Sequence, residues 1–438
     1  MKVVGRLRAF EQASRPIDPE TADALERRWQ SLPASARVPG QLIGRKSGGC
    51  EATHGVFPKC DFACKPCYHS ADANRVRVDG PHTIDQITEQ MAYLREQRGH
   101  GQFAQLIGGE VSLLEPADHA AAIGVMRDAG RLPMSFTHGD FDYEYLRAVA
   151  VDRDDQPRFP HLSFACHIDT TMIGRTGIKK PQSEAELAEY RSRFCAMFDR
   201  LRREYGITSY LAHNMTVTPE NLDDVADVIR ASRHDGWRMF SFQPAAYIGN
   251  EGRWRQDYRE LTSDAVWNEV EAGAGTTLTY GAMQFGDTRC NRVAWGAYRG
   301  DRFVPLLDDT DERDHQVVDS FMTAFPGNFA LRGRGESVVR FARSVAAHPR
   351  VVPDVAAWGL RFAARGGGVM QPWWDAHPVT FVMHQFIDAA DTAVAWEHMK
   401  AGTRAEEPKI LEAQERLEAC AYSMGHPTSG ELVPACVQ

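Results

Sequence analysis

Nowhere in this sequence do about 18 uncharged apolar residues run together, as a membrane-spanning helix would require. The opening stretch, MKVVGRLRAFEQASRPIDPE, also lacks an apolar run of signal-peptide length, so a cytoplasmic location is expected. Positive charge is in deficit: 50 Lys and Arg stand against 59 Asp and Glu, a formal net charge of -9. A phosphate-neutralising surface needs a clustered basic excess, so no nucleic-acid partner is expected. There is no internal repeat and no low-complexity tract. In a reducing compartment the 9 cysteines do not read as a disulfide framework. What remains is a globular chain of 438 residues, 43% hydrophobic. At roughly 150 residues per domain, that length suggests two or three lobes.

Residues 1–45 are polar, with a helical pattern around PETADALERRWQSL, and read as an N-terminal extension. From there to residue 272, short β-rich runs alternate with amphipathic stretches of helical length. Strands are expected at 53–57, 103–107, 133–137, 161–165, 209–217 and 238–243. Helices are expected at 83–97, 117–130, 184–206 and 219–236, the last opening on Pro219 with acids in its first turns. This is the pattern of an α/β fold, a partial (βα)6 barrel whose site would lie at the C-terminal ends of its strands. The alternation fades after about 275, and residues 273–438 read as an irregular α+β C-terminal lobe for substrate binding or an auxiliary cluster.

The densest chemistry lies in KCDFACKPCYHS, where Cys60, Cys64 and Cys67 are spaced C-x3-C-x2-C. Three thiolates are one short of a closed structural zinc site. Zinc, or an electron-transfer cluster completed by Cys50 or His69, would make a non-catalytic metal or redox protein. A four-iron cubane held by three thiolates instead leaves one iron open to a small ligand.

C-x3-C-x2-C followed by an aromatic residue, here Tyr68, resembles the motif of the radical S-adenosylmethionine enzymes. A second match comes from LIGGEVSLLEP, which places Gly108, Gly109 and Glu110 after the second expected strand. Family members carry a GGE there against the methionyl amino group, and two glycines with a carboxylate suit close approach to an ammonium. The resemblance covers about residues 50–270, closest to the molybdopterin-biosynthesis branch of the superfamily. It implies that Cys60, Cys64 and Cys67 ligate a 4Fe-4S cluster whose fourth iron is chelated by S-adenosylmethionine. His167, Asp169 and Asn214 would lie near its ribose and carboxylate, and Phe242, Gln243 and Pro244 near its adenine. An electron from flavodoxin or ferredoxin would then cleave the sulfonium, and the resulting 5'-deoxyadenosyl radical would take hydrogen from a substrate. That substrate is unidentified: lipid, peptide or small metabolite.

The C-terminal segment CAYSMGHPTSGELVPACVQ is similar to auxiliary-cluster segments of that superfamily, with Cys420 and Cys436 flanking a Gly turn. Five residues separate Gly430 from Cys436, one more than usual. Cys290 would be a third ligand of such a second Fe-S cluster. The commoner role of free cysteine is packing, and Cys50, Cys166 and Cys195 are expected to pack, with lining of the cavity the alternative for Cys166, which ends the fourth expected strand. His377 and His384 lack a carboxylate at metal spacing and read as structural. Between 332 and 365 lie Arg332, Arg334, Arg340, Arg343, Arg350, Arg361 and Arg365, opposed by Glu336 and Asp354 and interleaved with apolar residues. Such a stretch is usually a solvated helix face, and it also fits peripheral contact with an anionic membrane surface.

Overall fold

The computed structural model describes all residues except 1, 54, 58, 68–79, 248–253, 329–332, 369–375, 426–431 and 438. Two helices, α1 (Lys2–Ala13) and α2 (Pro19–Ser31), precede strand β1 (Cys50–Ala52). Then helices and strands alternate: α3 (Gly80–Arg98), β2 (Gln102–Leu106), α4 (Pro116–Asp128), β3 (Arg131–Thr137), α5 (Tyr143–Ala150) and β4 (His161–His167). The alternation continues with α6 (Ala188–Tyr205), β5 (Thr208–Val217), α7 (Val225–Ser232), β6 (Met239–Pro244) and α8 (Ser263–Ala274). Beyond them lie β7 (Asn291–Arg299), β8 (Arg302–Pro305), α9 (Glu312–Ala324), α10 (Arg334–Ala347), α11 (Val351–Arg365) and β9 (His377–His384). The chain closes with α12 (Ala389–Ala401), α13 (Pro408–Glu418), β10 (Tyr422–Gly425) and β11 (Leu432–Pro434).

Strands β1 to β6 lie side by side in sequence order and are parallel throughout, as repeated βα units require. The sheet runs β11-β10-β1-β2-β3-β4-β5-β6-β9-β7-β8 and ends on two edge strands, so the barrel is partial. The described residues of 273–438 supply five strands that extend this same sheet. β9 joins β6 in parallel and carries the antiparallel pair β7 and β8, while β10 joins β1 and carries β11.

Local chemistry explains the boundaries. α4 begins with Pro116 in its first turn, where a missing N–H costs nothing. α5 is capped by Asp142, which accepts from Tyr145 N, and α6 stops at Gly206 in the left-handed region at φ 70°. The first strand differs from expectation, pairing over 50–52 rather than 53–57. Gly55 takes a positive φ of 66° and breaks the extended run, while Thr53 Oγ1 donates to Ile107 O and accepts from Ile107 N. Val56 and Phe57 are buried all the same, as part of the loop that follows.

The main core lies between the outer face of the sheet and the helices. Phe164, Leu211, Met215, Phe240 and Phe242 meet Phe194, Phe198, Val228 and Ile229 there. Because side chains alternate along a strand, the intervening residues face the barrel interior.

Candidate functional site

The loop after β1 carries Cys60, Cys64 and Cys67, all partly buried. Backbone hydrogen bonds hold it on two sides. Gly109 N donates to Phe57 O at 2.7 Å and Glu110 N to Lys59 O at 2.8 Å, while Ala63 N donates to Ile173 O at 2.8 Å and Lys65 N to Thr171 O at 3.0 Å. Phe62, between the first two cysteines, stacks on His138 with ring centroids 3.9 Å apart, and the Arg175 guanidinium lies 5.5 Å from the same ring. A Cβ on Gly108 would come within 2.9 Å of both the Phe57 ring and its carbonyl, so this glycine admits the cysteine loop itself.

Burial pushes the Cys60 thiol up to about 12, and Cys67 adds to the rise. Cys64 is raised well above the ordinary range by burial first, then by Cys67, Asp169 and Cys60. The three sulfurs therefore share one electrostatic neighbourhood, which a bound metal cation would relieve by taking thiolates as ligands. Among the described residues, no three His, Cys, Asp or Glu side chains converge closely enough to hold a single metal ion. Tyr68 and His69 lie outside the described residues.

Glu110 is 2% exposed and its carboxylate is already engaged. Oε1 accepts from Ser112 N at 2.9 Å and Thr137 Oγ1 at 2.6 Å, and Oε2 accepts from His138 N at 2.7 Å with His138 Nε2 3.5 Å away. It thus ties the GGE turn to the end of β3, and its lone pairs are largely used by the protein. His138 accepts from Asp140 N on Nδ1 and so donates from Nε2 to Asp61 Oδ1 at 2.9 Å.

At the ends of β4, β5 and β6, the register lines up polar side chains facing inward. His167 pairs with Asn214 and Asn214 with Ser241, and Thr216 pairs with Gln243 in the next rung. Gln243 Nε2 donates to Ser241 Oγ at 2.7 Å, while its Oε1 is buried without a hydrogen-bond partner among the described residues. Pro244 ends β6 beside it. Asp169 is spent on structure: Oδ1 accepts from Thr171 N at 2.9 Å and Thr171 Oγ1 at 2.6 Å, and Oδ2 from Thr216 N at 2.8 Å. Burial lowers the His167 pKa, partly offset by Asp169 Oδ2 at 3.7 Å, so the ring favours its neutral form.

Sequence reasoning missed His138 and Arg175, which pin Phe62, and Thr216 and Ser241, which complete the inner row. The signal for His138 was THGD directly after a strand; Arg175 gave none, since its role depends on packing alone.

The three C-terminal cysteines come from separate elements. Cys290 precedes β7, Cys420 precedes β10, and Cys436 lies in the last turn. Arg416 Nε donates to Cys290 Sγ at 3.1 Å, Cys420 Sγ donates to Tyr422 O at 2.8 Å, and Ile387 N donates to Cys436 Sγ at 3.5 Å. The Cys436 thiol is raised by burial, then by Cys420 and Cys290. Cys50, at the start of β1, is pushed up to about 12 by burial, with Cys420 among the contributors. Cys166 and Cys195 are buried in the core. His377 Nε2 bonds Trp237 O at 2.7 Å, and His384 Nδ1 bonds Asn291 Oδ1. Gly430 lies outside the described residues, as does Arg332.

Of the six described arginines of the basic stretch, Arg334, Arg343 and Arg350 are exposed, and Arg340, Arg361 and Arg365 turn inward. Arg340 is buried with its guanidinium on Asn328 O and Pro326 O, and Arg361 and Arg365 bond the fully buried Asp314 at 2.7 and 2.8 Å. No helix among the described residues is long and apolar enough to cross a membrane.

No protein-family model matches the sequence, and no curated protein does. Among solved structures, the chain is similar to Streptococcus suis SuiB bound to S-adenosylmethionine, at 9% identity and a TM-score of 0.34 over 47% of this chain and 43% of that one. It is also similar to native anSMEcpe with bound AdoMet and Cp18Cys peptide, at 14% identity and a TM-score of 0.35, over 51% of this chain and 58% of that one.

Proposed function

We propose that this protein is a radical S-adenosylmethionine enzyme, with Cys60, Cys64 and Cys67 as ligands of a 4Fe-4S cluster and S-adenosylmethionine seated over the ends of β4, β5 and β6. The observation that carries this reading is the direct joining of its two motifs: the N–H groups of Gly109 and Glu110 hold the carbonyls of Phe57 and Lys59 in the cysteine loop. A zinc or electron-transfer site has no need of the GGE turn. When bound, the cluster would supply an electron to the sulfonium, and with it a carbon radical able to take hydrogen from an unactivated substrate carbon.

The chain's own residues do the positioning. Glu110 holds the GGE turn against β3, so a methionyl ammonium would be met by the turn's backbone carbonyls rather than by the carboxylate. Gln243 Oε1, which meets no donor among the described residues, suits the exocyclic amino group of adenine. His167 and Asn214 present polar groups at the ribose and carboxylate positions, on one rung. Tyr68, directly after the loop, belongs to the same reading. Asp169 acts as a brace for the β4–β5 ends. Cys290, Cys420 and Cys436, with Arg416 beside them, fit a second Fe-S cluster. Flavodoxin or ferredoxin would be the electron donor, in the cytoplasm, with residues 46–272 as the barrel and 273–438 as the lobe that shapes the substrate side.

Anaerobic reconstitution tests the reading. The expected result is about four irons held by Cys60, Cys64 and Cys67 and, with dithionite, release of 5'-deoxyadenosine from S-adenosylmethionine. Zinc bound instead, with no cleavage, would refute it.

A further inference from the structure

Exposed large apolar side chains are not spread evenly over this molecule. Of the eleven among the described residues, eight lie on α1, α9, α10 and α11: Val4, Leu7, Phe10, Phe321, Val338, Phe341, Val352 and Leu360. These helices touch. Arg343 Nη1 on α10 donates to Glu11 O on α1 at 3.4 Å, and a Cβ on Gly335 would meet the Phe10 ring at 3.7 Å. Phe325 stacks on Phe341 at 5.3 Å and meets Phe321 at 5.2 Å, linking α10 to α9. Val351 and Val355 of α11 pack in a cluster with Ala324, Phe325 and Val345.

α1 is exposed from Val4 to Gln12. Val4, Leu7 and Phe10 recur every three residues and share one face, flanked by Arg6 and Arg8. On α10, Val338 and Phe341 are 68% and 56% exposed, with Arg334 and Arg343 also exposed on the same helix. Every exposed residue of α11 is apolar, because its charged residues are turned inward: Arg361 and Arg365 to Asp314, Asp354 to Ser320. A soluble surface rarely keeps so much apolar area in one place without something to cover it.

We propose that α1, α10 and α11 form a docking face for an anionic lipid bilayer surface. Charge selects the occupant. In a chain of net charge -9, this face carries the exposed arginines Arg6, Arg8, Arg334, Arg343 and Arg350. Of the three acids on its helices, Glu11 bridges Arg15 at 3.0 Å and Asp354 accepts from Ser320, so that half-buried Glu336 is the third against five exposed arginines. A second copy would bring the same arginines against each other. An anionic bilayer accepts the apolar side chains into its interface while the flanking guanidinium groups reach the headgroups. This inference stands apart from the reading of the cysteine site.

Co-sedimentation of the full chain with vesicles decides it. With vesicles of phosphatidylcholine and phosphatidylglycerol the protein should pellet, and with phosphatidylcholine alone it should remain in solution. The pair Arg6→Glu and Arg8→Glu should weaken the partition at least about thirtyfold, since each arginine near such a surface contributes about a factor of five. Val338→Asp with Leu360→Ser should weaken it comparably while the melting temperature holds. The proposal is overturned by failure to pellet with either vesicle, or by pelleting that neither pair of substitutions changes. A dimer in lipid-free solution that Val338→Asp dissolves would also overturn it, by showing a protein partner on this face.

Discussion

The two groups of three cysteines are built in opposite ways. Cys60, Cys64 and Cys67 sit on one short loop, and their placement depends on the backbone: carbonyls and N–H groups of the loop are held by Gly109, Glu110, Thr171 and Ile173. Cys290, Cys420 and Cys436 come from three distant elements, and each sulfur meets a polar partner from the fold: Arg416, Tyr422 O and Ile387 N. The first group is a local motif presented by a scaffold. The second exists only once β7, β10 and the last turn have joined the sheet. A motif of the first kind can be exchanged for an open ligand site without unfolding anything; the second is tied to the integrity of both sheet edges.

This contrast sets an order of expected effects. Replacing Cys60, Cys64 and Cys67 by Ala should abolish 5'-deoxyadenosine formation and remove about four irons per chain, with little change in melting temperature, as read by iron assay and chromatography. Replacing Cys290, Cys420 and Cys436 should remove a second set of irons and leave 5'-deoxyadenosine release intact. Equal loss of that activity from both triple variants would break the distinction between the groups.

Glu110→Ala strands two buried donors, Thr137 Oγ1 and His138 N, and the half-buried Ser112 N, and the cost should be about 3 kcal/mol in unfolding free energy. Because this carboxylate anchors only the first group, iron at Cys60, Cys64 and Cys67 should fall while that at the C-terminal group stays. Gln243→Leu removes the unpartnered acceptor and keeps the volume. It should raise the KM for S-adenosylmethionine about tenfold, with iron content and kcat nearly unchanged.

Acid should also act on the first group's platform. His119 of α4 is fully buried, with Nε2 2.8 Å from Ser135 Oγ and Nδ1 3.1 Å from the Tyr145 hydroxyl, which in turn donates to Val111 O and Leu114 O in the segment that follows the GGE turn. Burial lowers its pKa from 6.5 to about 3. The unfolded chain therefore binds the proton first, and its share of stability is full above pH 6.5. That share declines by about 1.4 kcal/mol per pH unit as pH falls toward 3. Denaturant unfolding of the iron-free protein between pH 4 and pH 7 would measure the slope, which His119→Gln should flatten.

Much of this was readable beforehand, for physical reasons. Strands β2 to β6 announced themselves through β-rich runs between helical patterns, and each lies within two residues of its expected limits. β1 was misplaced because Val56 and Phe57 are apolar for loop packing, and the break at Gly55 depends on its positive φ. Helix α1 was missed because it is exposed from Val4 to Gln12, so no core pattern marks it. The roles of Glu110 and Asp169 could not be read from residue type. A carboxylate at a strand end looks like a ligand until the donors around it, here Thr137 and His138 or Thr171 and Thr216, are placed. The arginines between 332 and 365 looked like one basic surface, but Asp314, far off in sequence, draws two of them inward.

The most direct test of the central claim uses the Cys290, Cys420 and Cys436 triple Ala variant, reconstituted and reduced without oxygen, so that only the first group carries iron. Its electron paramagnetic resonance spectrum is recorded with and without S-adenosylmethionine. An open iron at Cys60, Cys64 and Cys67 predicts a spectrum that changes on addition of S-adenosylmethionine, with 5'-deoxyadenosine formed. A spectrum indifferent to S-adenosylmethionine, with none formed, would contradict it.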